Sequence, residues 1–406
     1  MNIVHVSYKD DQEGAAIAVE RICRSLIGAG IDSKILVQKK VSDKPYAYST
    51  ANNKFQKIFS FLRIGFDLLL NGVFVKDKSV YFTFPFVGSD ISKHQLLVEA
   101  DVIHLHWINR GFLSLESIEK ILKLNKPVVW TLHDSWAFTG GCHMTSQCTK
   151  YQASCKNCPL TTGLDLAERF QKKKRKLFED SRISFIAPST WMSEKASASS
   201  VLVRKNITVI PNCLDTTIYK PLDPVSSRVI FNLPLDKSIV LFNVTNDVRK
   251  GVKYLRQVIA SLAESDEDIL FVGFGTSDIQ NTVFADLPIV TIGRINDNYA
   301  MAALYSACDV LIAPALEEPF GQTYIEAMAC GTPCVAFDHS GPKDIIGHQK
   351  DGYLAKYLNT NSLIDGVVYC LKNKKELGSA AVDKVNRNFS FEKVSQKHIN
   401  YYNSIL

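Results

Sequence analysis

The chain has 406 residues, of which 46% are hydrophobic and 22% are charged. This length favours two domains, and the composition excludes a disordered chain. The net charge of +6 is too small to indicate nucleic-acid binding, so we expect no nucleic acid among the partners.

The first residues, MNIVHVSY, are typical of a β-strand and lack the basic segment and cleavage pattern of a secretory signal. The apolar stretch from Phe55 to Phe74 is interrupted by Lys57, Arg63 and Asp67, which argues against a membrane-spanning helix. We therefore expect a cytoplasmic protein without a transmembrane segment.

Short apolar runs alternate with amphipathic stretches of helical length along the whole chain, which predicts β-α-β units and parallel sheets. The predicted strands are residues 3–7, 34–38, 102–106, 127–132, 184–188 and 208–211 in the first half, and 239–244, 269–273, 289–292, 310–313 and 333–337 in the second. Each set predicts its own doubly wound α/β domain. Ligands of such sheets bind beyond the carboxyl ends of the strands, so two facing sheets would share one cleft.

A segment rich in proline and aspartate, Asp215 to Asp236, shows neither the helical nor the strand period and is predicted to be a linker. We place a first domain at residues 1–215 and a second at residues 216–388. The last residues, 389–406, have helical spacing of apolar side chains and are predicted to pack back on the first domain.

The first strand is followed by a polar loop, and Gly14 then opens a helix predicted to run to about Gly28. A small residue at a helix entrance lets a ligand approach the backbone. Gly14 is therefore a candidate binding residue, with a plain helix-entry turn as the alternative.

Two stretches together indicate a membrane-facing patch. They are the hydrophobic, partly basic stretch from Lys54 to Lys76 and the basic run Lys172-Lys-Lys-Arg-Lys176. They predict peripheral contact with the inner face of a membrane. An amphipathic core helix and a solvated helix face are the respective alternatives.

The strand at 102–106 places His104 and His106 on one face, because side chains alternate along a strand. We interpret His104 as a hydrogen-bonded core residue and His106 as a candidate on the acceptor side. His133 follows the strand at 127–132, at the carboxyl end where ligands bind.

Ten cysteines in a chain without an export signal indicate reduced thiols. Six are scattered and are interpreted as packing residues: Cys23, Cys213, Cys308, Cys330, Cys334 and Cys370. The other four, Cys142, Cys148, Cys155 and Cys158, are clustered and suit a structural zinc ion, although their gaps are not those of a standard zinc finger. Free thiols or a redox-sensitive pair are the alternatives.

In the second half, Glu318 to Pro333 reads as a loop that enters a short helix, with a capping box between Thr323 and Glu326. Gly321 lets the backbone approach a ligand, and the helix start suits a diphosphate. Glu318 and Glu326 would flank it and accept hydrogen bonds from sugar hydroxyls.

Two further segments follow strands of the second half. Arg249 and Lys250 come after the strand at 239–244, where two cations can neutralise a leaving diphosphate. Gly273 to Thr276 follows the next strand and permits close backbone approach or forms a simple turn.

These segments, with Ile210 to Asp215, resemble the retaining glycosyltransferases of family 4, also called group 1, which include transferases of exopolysaccharide, capsule and lipopolysaccharide synthesis. The resemblance covers nearly the whole chain. It implies the GT-B fold, in which two facing Rossmann-like domains hold the donor in a cleft between them.

The resemblance also implies roles for single residues. Glu318 would contact the donor sugar and Glu326 the nucleotide ribose, while His133 would border the sugar. The residues implied to hold the rest of the donor are Gly14, Gly275, Ile295, Phe320, Gly321, Gln322 and Thr323. The family often has an arginine where this chain has Val244, and Arg249 is expected to replace it.

The implied reaction moves a sugar from a UDP- or GDP-sugar to a glycan or polyprenyl-linked glycan, with retention at the anomeric carbon. Lys250 and Arg249 would stabilise the leaving diphosphate, and no metal cofactor is expected for catalysis because no Asp-x-Asp motif is suitably placed. A nucleotide-sugar epimerase or phosphorylase on the same fold is one alternative, and a catalytically silent glycan-binding protein is another.

Overall fold

The computed structural model describes residues 1–51, 53–77, 80–179, 181–264, 268–276 and 278–406. The chain divides into two compact units. Unit 1 comprises residues 1–212 together with 394–406, and unit 2 comprises residues 213–393. Each unit is described by itself.

Unit 1 alternates strands and helices in chain order. Its elements up to residue 212 are β1 (Asn2–Lys9), α1 (Gly14–Gly28), β2 (Asp32–Lys39), β3 (Ala47–Ser49), α2 (Lys54–Phe74), α3 (Gln95–Glu99), β4 (Val102–Leu105), α4 (Leu115–Leu122), β5 (Val128–Thr131), α5 (Leu166–Glu179), β6 (Ile183–Ala187), α6 (Thr190–Ser197) and β7 (Ile207–Val209).

Among the described residues, the sheet of unit 1 has seven strands in the order β3-β2-β1-β4-β5-β6-β7, and every pairing is parallel. The strand order reverses between β1 and β4, where ligands of open α/β sheets bind beyond the carboxyl ends. His5 of β1 pairs directly with His104 of β4 in this register.

Unit 2 repeats the same alternation. Its elements are α7 (Pro224–Ile230), β8 (Ser238–Asn243), α8 (Val252–Ala263), β9 (Ile269–Phe274), β10 (Ile289–Gly293), α9 (Asn298–Ala307), β11 (Val310–Ile312), α10 (Gln322–Ala329), β12 (Cys334–Phe337), α11 (Pro342–Ile345), β13 (Gly352–Ala355), α12 (Thr360–Lys372) and α13 (Lys374–Asn388).

The described strands of unit 2 form a six-stranded parallel sheet in the order β10-β9-β8-β11-β12-β13. Its strand order reverses between β8 and β11, so the loops that follow these two strands are the expected ligand position. The two parallel sheets confirm the prediction of two doubly wound α/β domains.

Every predicted strand is present, and two short strands, β3 and β13, which lie at the edges of the two sheets, were missed. The segment predicted to be a linker contains α7, which packs on α9. Arg228 of α7 is buried, and its guanidinium donates to Asp309 at 2.9 Å. The structure thus places a helix within residues 215–236, where the sequence shows no helical period.

The last helix, α14 (Phe391–Ile405), belongs to unit 1 from Val394 onward. Its Tyr402 is fully buried, and the hydroxyl lies 2.7 Å from Nδ1 of His104. The end of the chain thus completes the core of unit 1.

Helix α2 is less deeply buried than this core. Of its 21 residues, all within the described part of the chain, Ser60 and Asp67 are the buried ones. Ile64, Leu70 and Phe74 pack against the core of unit 1, so one face of α2 agrees with the interpretation as an amphipathic core helix, while the other side chains are largely exposed. No helix among the described residues is long and apolar enough to cross a membrane.

Candidate active site

Two loops meet beyond the carboxyl ends of β8 and β11 in unit 2. The backbone N–H of Leu316 donates to the carbonyl of Arg249 at 2.7 Å. Gly251 makes this approach possible, since its φ is 72° and a Cβ there would lie 1.8 Å from the carbonyl oxygen of Pro314. A glycine is thus required where the two segments touch.

The result of this contact is an ion pair between two predicted site residues. Nζ of Lys250 donates to Oε2 of Glu318 at 2.6 Å. The Glu318 loop is held from its other side, because the carbonyl of Glu318 accepts from the N–H of Gly341 at 2.8 Å. The structure therefore brings Lys250 and Glu318 together at the point where the strand order reverses.

Arg249 does not join this pair. Its Nε and Nη2 donate to the two carboxylate oxygens of Asp247 at 3.0 and 2.6 Å. Asp247 was not singled out from the sequence, although a carboxylate two residues before an arginine in a turn is a recognisable pattern. The Asp247 carboxylate holds the guanidinium in place beside Lys250.

Helix α10 begins differently from the prediction. Gly321 precedes its first turn with φ at 109°, and a Cβ there would lie 2.3 Å from the ring of Tyr324. No side chain among the described residues caps the helix start, so the predicted capping box between Thr323 and Glu326 is wrong. A glycine in this left-handed conformation lets the chain enter the helix without a capping side chain.

Glu326 lies in the first turns of α10 and is buried. Its Oε2 accepts a hydrogen bond from the hydroxyl of Tyr305 on α9 at 2.9 Å. Burial and the nearby Glu326 carboxylate both raise the pKa of Tyr305 well above its ordinary value. The tyrosine therefore stays neutral and fixes the orientation of the carboxylate.

The remaining predicted donor residues of unit 2 lie around these elements. Gly275 directly follows β9 with φ at 117°, and a Cβ there would lie 3.1 Å from the side chain of Asn243. Ile295 is partly buried after β10. The ring of Phe320 is buried against Phe389, which leaves the backbone of this residue as the part that could contact a ligand.

In unit 1, Gly14 is the first residue of α1, and a Cβ built on it meets no atom within 4 Å. The open space around it is compatible with a bound ligand but does not require a glycine. No steric argument therefore favours a binding role at this position.

His133 lies just beyond β5 and is partly exposed. Its Nε2 is 2.9 Å from Nδ1 of His106, and Nε2 of His106 is in turn 2.9 Å from Nδ1 of His5. Burial lowers the pKa of His133 to about 4. Two predicted site residues thus belong to one hydrogen-bonded chain, whose third member, His5, was missed.

His104 is fully buried and lies outside that chain of bonds. Its Nδ1 is 2.7 Å from the hydroxyl of Tyr402, and its Nε2 is 2.7 Å from Oγ1 of Thr131. This arrangement agrees with its interpretation as a hydrogen-bonded core residue.

Asp134, directly after His133, anchors the following segment. Its carboxylate accepts from Nε1 of Trp107 at 2.7 Å and lies 2.5 Å from Nδ1 of His143. Burial would raise the pKa of Asp134, but His143 and the hydrogen bonds hold it below its ordinary value. The ionised carboxylate therefore fixes the loop on which His133 lies.

The four clustered cysteines, Cys142, Cys148, Cys155 and Cys158, line one cavity of about 190 Å³. All are free thiols. Among the described residues, no three of these sulfurs lie within 4.8 Å of one another, whereas tetrahedral zinc at about 2.3 Å from each sulfur needs closer spacing. The donors suit zinc, and binding it would draw the sulfur atoms together.

Lys174 of α5 is fully buried beside this cavity. Its ammonium donates to the carbonyls of Trp136 and Thr139 and lies 3.6 Å from the centre of the Trp136 ring. Burial lowers the pKa of Lys174 to about 7. The run at 172–176 is therefore not wholly a surface patch, because its central lysine points inward.

Two family models match the chain. One, described as Glycosyltransferase Family 4, matches residues 13–218, which is just over half of the chain. The chain belongs to glycosyltransferase family 4. The other model, described as Glycosyl transferases group 1, matches residues 237–373 of this family 4 chain. The resemblance drawn from the sequence motifs is confirmed.

Among curated relatives, the N-acetyl-alpha-D-glucosaminyl L-malate synthase of Bacillus anthracis is 26% identical over 214 residues, which cover 50% of this chain and 55% of that protein. The putative colanic acid biosynthesis glycosyl transferase WcaC of Escherichia coli K12 is 25% identical over 268 residues, which cover 62% of each chain. The alignments thus span little more than half of the length of these curated relatives.

Solved structures match over the full length of the chain. Sucrose-phosphate synthase from Thermosynechococcus elongatus aligns with a TM-score of 0.66 at 18% identity, covering 100% of this chain and 99% of the other. Anabaena Alr3699/HepE, in complex with UDP-glucose, aligns with a TM-score of 0.66 at 15% identity and covers 100% of both chains. These likenesses show that this family 4 chain has the two-domain GT-B fold.

Proposed function

We propose that this chain transfers a sugar from a nucleoside diphosphate sugar, with UDP or GDP as the nucleotide, to a hydroxyl of a glycan or polyprenyl-linked glycan. The observation that carries the proposal is the Lys250–Glu318 ion pair of 2.6 Å, beside the start of α10. Membership in glycosyltransferase family 4 supports it. The complex of Anabaena Alr3699/HepE with UDP-glucose supports the class of donor.

In this proposal the ion pair changes partners when the donor binds. A diphosphate at the start of α10 is attracted by the helix dipole and by the ammonium of Lys250. Glu318, released from Lys250, then accepts a hydrogen bond from a sugar hydroxyl. Glu326 is already oriented by Tyr305 and is proposed to hold the ribose.

The proposed transfer retains the anomeric configuration and needs no catalytic metal. The bond between the anomeric carbon and the phosphate oxygen breaks, the acceptor oxygen bonds to the same face of that carbon, and the acceptor proton passes to the departing phosphate. Lys250 and Arg249 stabilise the charge that develops on this phosphate.

Donor binding can be tested by calorimetry and thermal shift with UDP, GDP, UDP-glucose, UDP-N-acetylglucosamine and GDP-mannose. We expect one nucleotide series to bind, and Lys250→Ala to weaken it about 10-fold or more, because a charge-assisted contact to phosphate is lost. Lys253→Ala is the matched control, since this lysine lies three residues further on and is exposed. The proposal fails if no nucleotide binds, or if the two variants bind equally.

A role in surface polysaccharide synthesis is proposed from the relative named WcaC, and contact with a membrane surface is proposed from α2. The helix exposes large apolar side chains along its length: Phe55, Ile58, Phe59, Phe61, Leu62, Phe66, Leu68, Leu69 and Val73. Phe55 and Phe61 are 75% and 74% exposed. Exposed Lys54 and Lys57 at its first turn suit anionic lipid headgroups.

Vesicle sedimentation tests the membrane contact. We expect the protein to sediment with phosphatidylglycerol-containing vesicles and less with phosphatidylcholine alone. The double variant Phe55→Ser/Phe61→Ser should lose binding, whereas Leu164→Ser, which changes an exposed leucine outside α2, should not. This part of the proposal is refuted if the wild type sediments with neither kind of vesicle. It is also refuted if light scattering shows a dimer that depends on α2.

The cysteine cavity is proposed to hold a structural zinc ion that stabilises the loop around it. Elemental analysis of the purified protein should find one zinc per chain, lost in Cys158→Ser and kept in Cys23→Ser, which changes a buried cysteine of the α1 packing. If the purified protein contains no zinc and all four cysteines react as thiols, the cysteines are free and this proposal fails.

A further inference from the structure

Five histidines cluster in unit 1, on elements far apart in the sequence. They are His5 on β1, His104 and His106 at β4, His133 beyond β5, and His398 on α14. The ring centres of His5 and His106 are 5.1 Å apart, and those of His106 and His133 are 5.2 Å apart. Four of the five are almost completely buried, and His133 is partly exposed.

Three of these rings form a continuous hydrogen-bonded chain. Nδ1 of His5 lies 2.9 Å from Nε2 of His106, and Nδ1 of His106 lies 2.9 Å from Nε2 of His133. A neutral imidazole has one N–H and one accepting nitrogen. Both bonds must therefore run in the same direction, and the tautomer of His133 depends on that of His106 and, through it, on that of His5.

The rings are neutral at ordinary pH. Burial lowers the pKa of His5 to about 3 and that of His133 to about 4. Burial and then the neighbouring histidines lower the pKa of His106 well below its ordinary value. Because the rings carry no extra proton, only the direction of the two hydrogen bonds, and with it the tautomer of each ring, can vary.

The inner end of the chain favours one direction. Within the described part of the molecule, Nε2 of His5 is buried without a hydrogen-bond partner. If His5 donates from Nδ1, this end is left with a lone pair; in the opposite direction it is left with a buried N–H, which proteins tolerate less often. The favoured direction runs from His5 to His133.

The outer end determines what a ligand would meet. Nδ1 of His133 makes no hydrogen bond to any described residue, and its ring is the partly exposed member. With the favoured direction, His133 accepts at Nε2 and carries its proton on Nδ1.

We propose that His5 and His106 are positioning residues that hold His133 as the Nδ1–H tautomer, so that it presents a neutral hydrogen-bond donor to an oxygen of the donor sugar. The part that concerns the sugar rests on the proposed function. The tautomer itself is a property of the free protein.

A metal site is the competing use of this cluster, because His5, His104 and His106 have ligating nitrogens within 4.8 Å of one another. Both nitrogens of His104 are already bonded, to Tyr402 and Thr131, and both nitrogens of His106 are bonded within the chain. A metal ion would have to replace several of these bonds, so the hydrogen-bonded chain is favoured.

The test is nitrogen NMR of the full-length protein with labelled histidine. We expect His133 in the wild type to be a single tautomer protonated at Nδ1. His5→Phe should convert it to a mixture, although residue 5 does not touch His133. His106→Asn should do the same, because an amide near the Nδ1 position can present either its NH₂ group or its oxygen to His133 and no longer contacts His5.

His104→Gln is the matched control, since it removes a buried histidine from the same strand without breaking the chain. It should leave the His133 signal unchanged, and thermal melting identifies any variant that fails to fold. The proposal is overturned if wild-type His133 is protonated at Nε2, or if His5→Phe leaves its tautomer unchanged. It is also overturned if elemental analysis finds a stoichiometric metal that His5→Phe removes.

A kinetic readout separates this inference from the proposed function. With a nucleotide sugar that the wild type turns over, His5→Phe should lower kcat about 10-fold or more while KM changes less. The reason is that His133 loses its defined N–H hydrogen-bond donor, whereas the contacts to the phosphates remain. If the NMR result is as expected but no nucleotide sugar binds the wild type, the proposed function fails and the tautomer assignment stands.

Discussion

The ion-pair site of unit 2 and the histidine chain of unit 1 both lie where a parallel sheet reverses its strand order, yet they are built in different ways. Lys250 and Glu318 stand on loops whose motifs are continuous in the sequence. His5 lies on β1, whereas His106 and His133 follow β4 and β5, so their contacts depend on the register between these three strands. The first site is exposed and charged, whereas the second is almost completely buried and neutral.

This difference shows two ways of arranging polar groups at one kind of position. An exposed ion pair can exchange its partner for a ligand at little cost, because water and the ligand both compete for the charges. A buried chain of imidazoles cannot exchange partners easily, since each broken bond leaves an unsatisfied polar group. We therefore expect the site of unit 2 to respond to ligand and the chain of unit 1 to stay fixed.

The largest expected effect is on the site of unit 2. Glu318→Gln removes the proposed contact to the sugar and should lower the rate of transfer roughly 100-fold or more. Binding of UDP or GDP alone should be unchanged or tighter, because Lys250 loses its carboxylate partner. Steady-state kinetics and calorimetry measure the two effects, and equal losses in both would show that Glu318 acts only by holding the loop.

A second effect concerns the close contact that assembles this site. Gly251→Ala places a Cβ against the carbonyl of Pro314 in a backbone with positive φ, and should cost about 3 kcal/mol of unfolding free energy. Gly28→Ala is the control, because a Cβ there meets no atom within 4 Å. Chemical denaturation measures both, and similar stability of the two variants would contradict the contact.

A smaller effect is expected from the buried histidines when the pH falls. Burial lowers the pKa of His398 to about 3, whereas the pKa of a histidine in the unfolded chain is near 6.5. Below pH 6.5 the unfolded state therefore binds a proton at this residue that the folded state does not bind. This histidine should therefore cost about 2 kcal/mol of stability between pH 7.5 and pH 5.

His398→Phe should recover most of that loss, because both ring nitrogens of His398 lack partners among the described residues. His348→Phe, which replaces an exposed histidine, should leave the acid dependence as it is. Denaturation at the two pH values decides between them. If the wild type and His398→Phe lose the same unfolding free energy between the two pH values, then protons or water reach the histidine cluster.

Much of the fold could be predicted from the sequence, because the alternation of apolar runs and helical stretches is local. The eleven predicted strands are all present, and α1 has the predicted bounds. The short strands β3 and β13 and the helix α7 were not recognised. Their formation depends on neighbours, such as Asp309 for Arg228 of α7, more than on their own residues.

The candidate site was predicted in part. The motifs around Lys250, Glu318 and Glu326 were recognisable because each is contiguous, but the capping box was wrong, since Glu326 turns to Tyr305 instead of the helix start. Asp247 and His5 were missed. Asp247 had a local signal in its spacing to Arg249, whereas His5 had none, because a single histidine in an apolar strand does not indicate its partners.

The sequence by itself determined the family, the two α/β domains and the residues of the loops that follow β8 and β11, since these depend on spacing along the chain. Only the tertiary structure decided which side chains meet: Lys250 with Glu318, Glu326 with Tyr305, and His5 with His106. The physical reason is that strand order and register result from burying both faces of a sheet. Those long-range pairings place residues together that no local pattern connects.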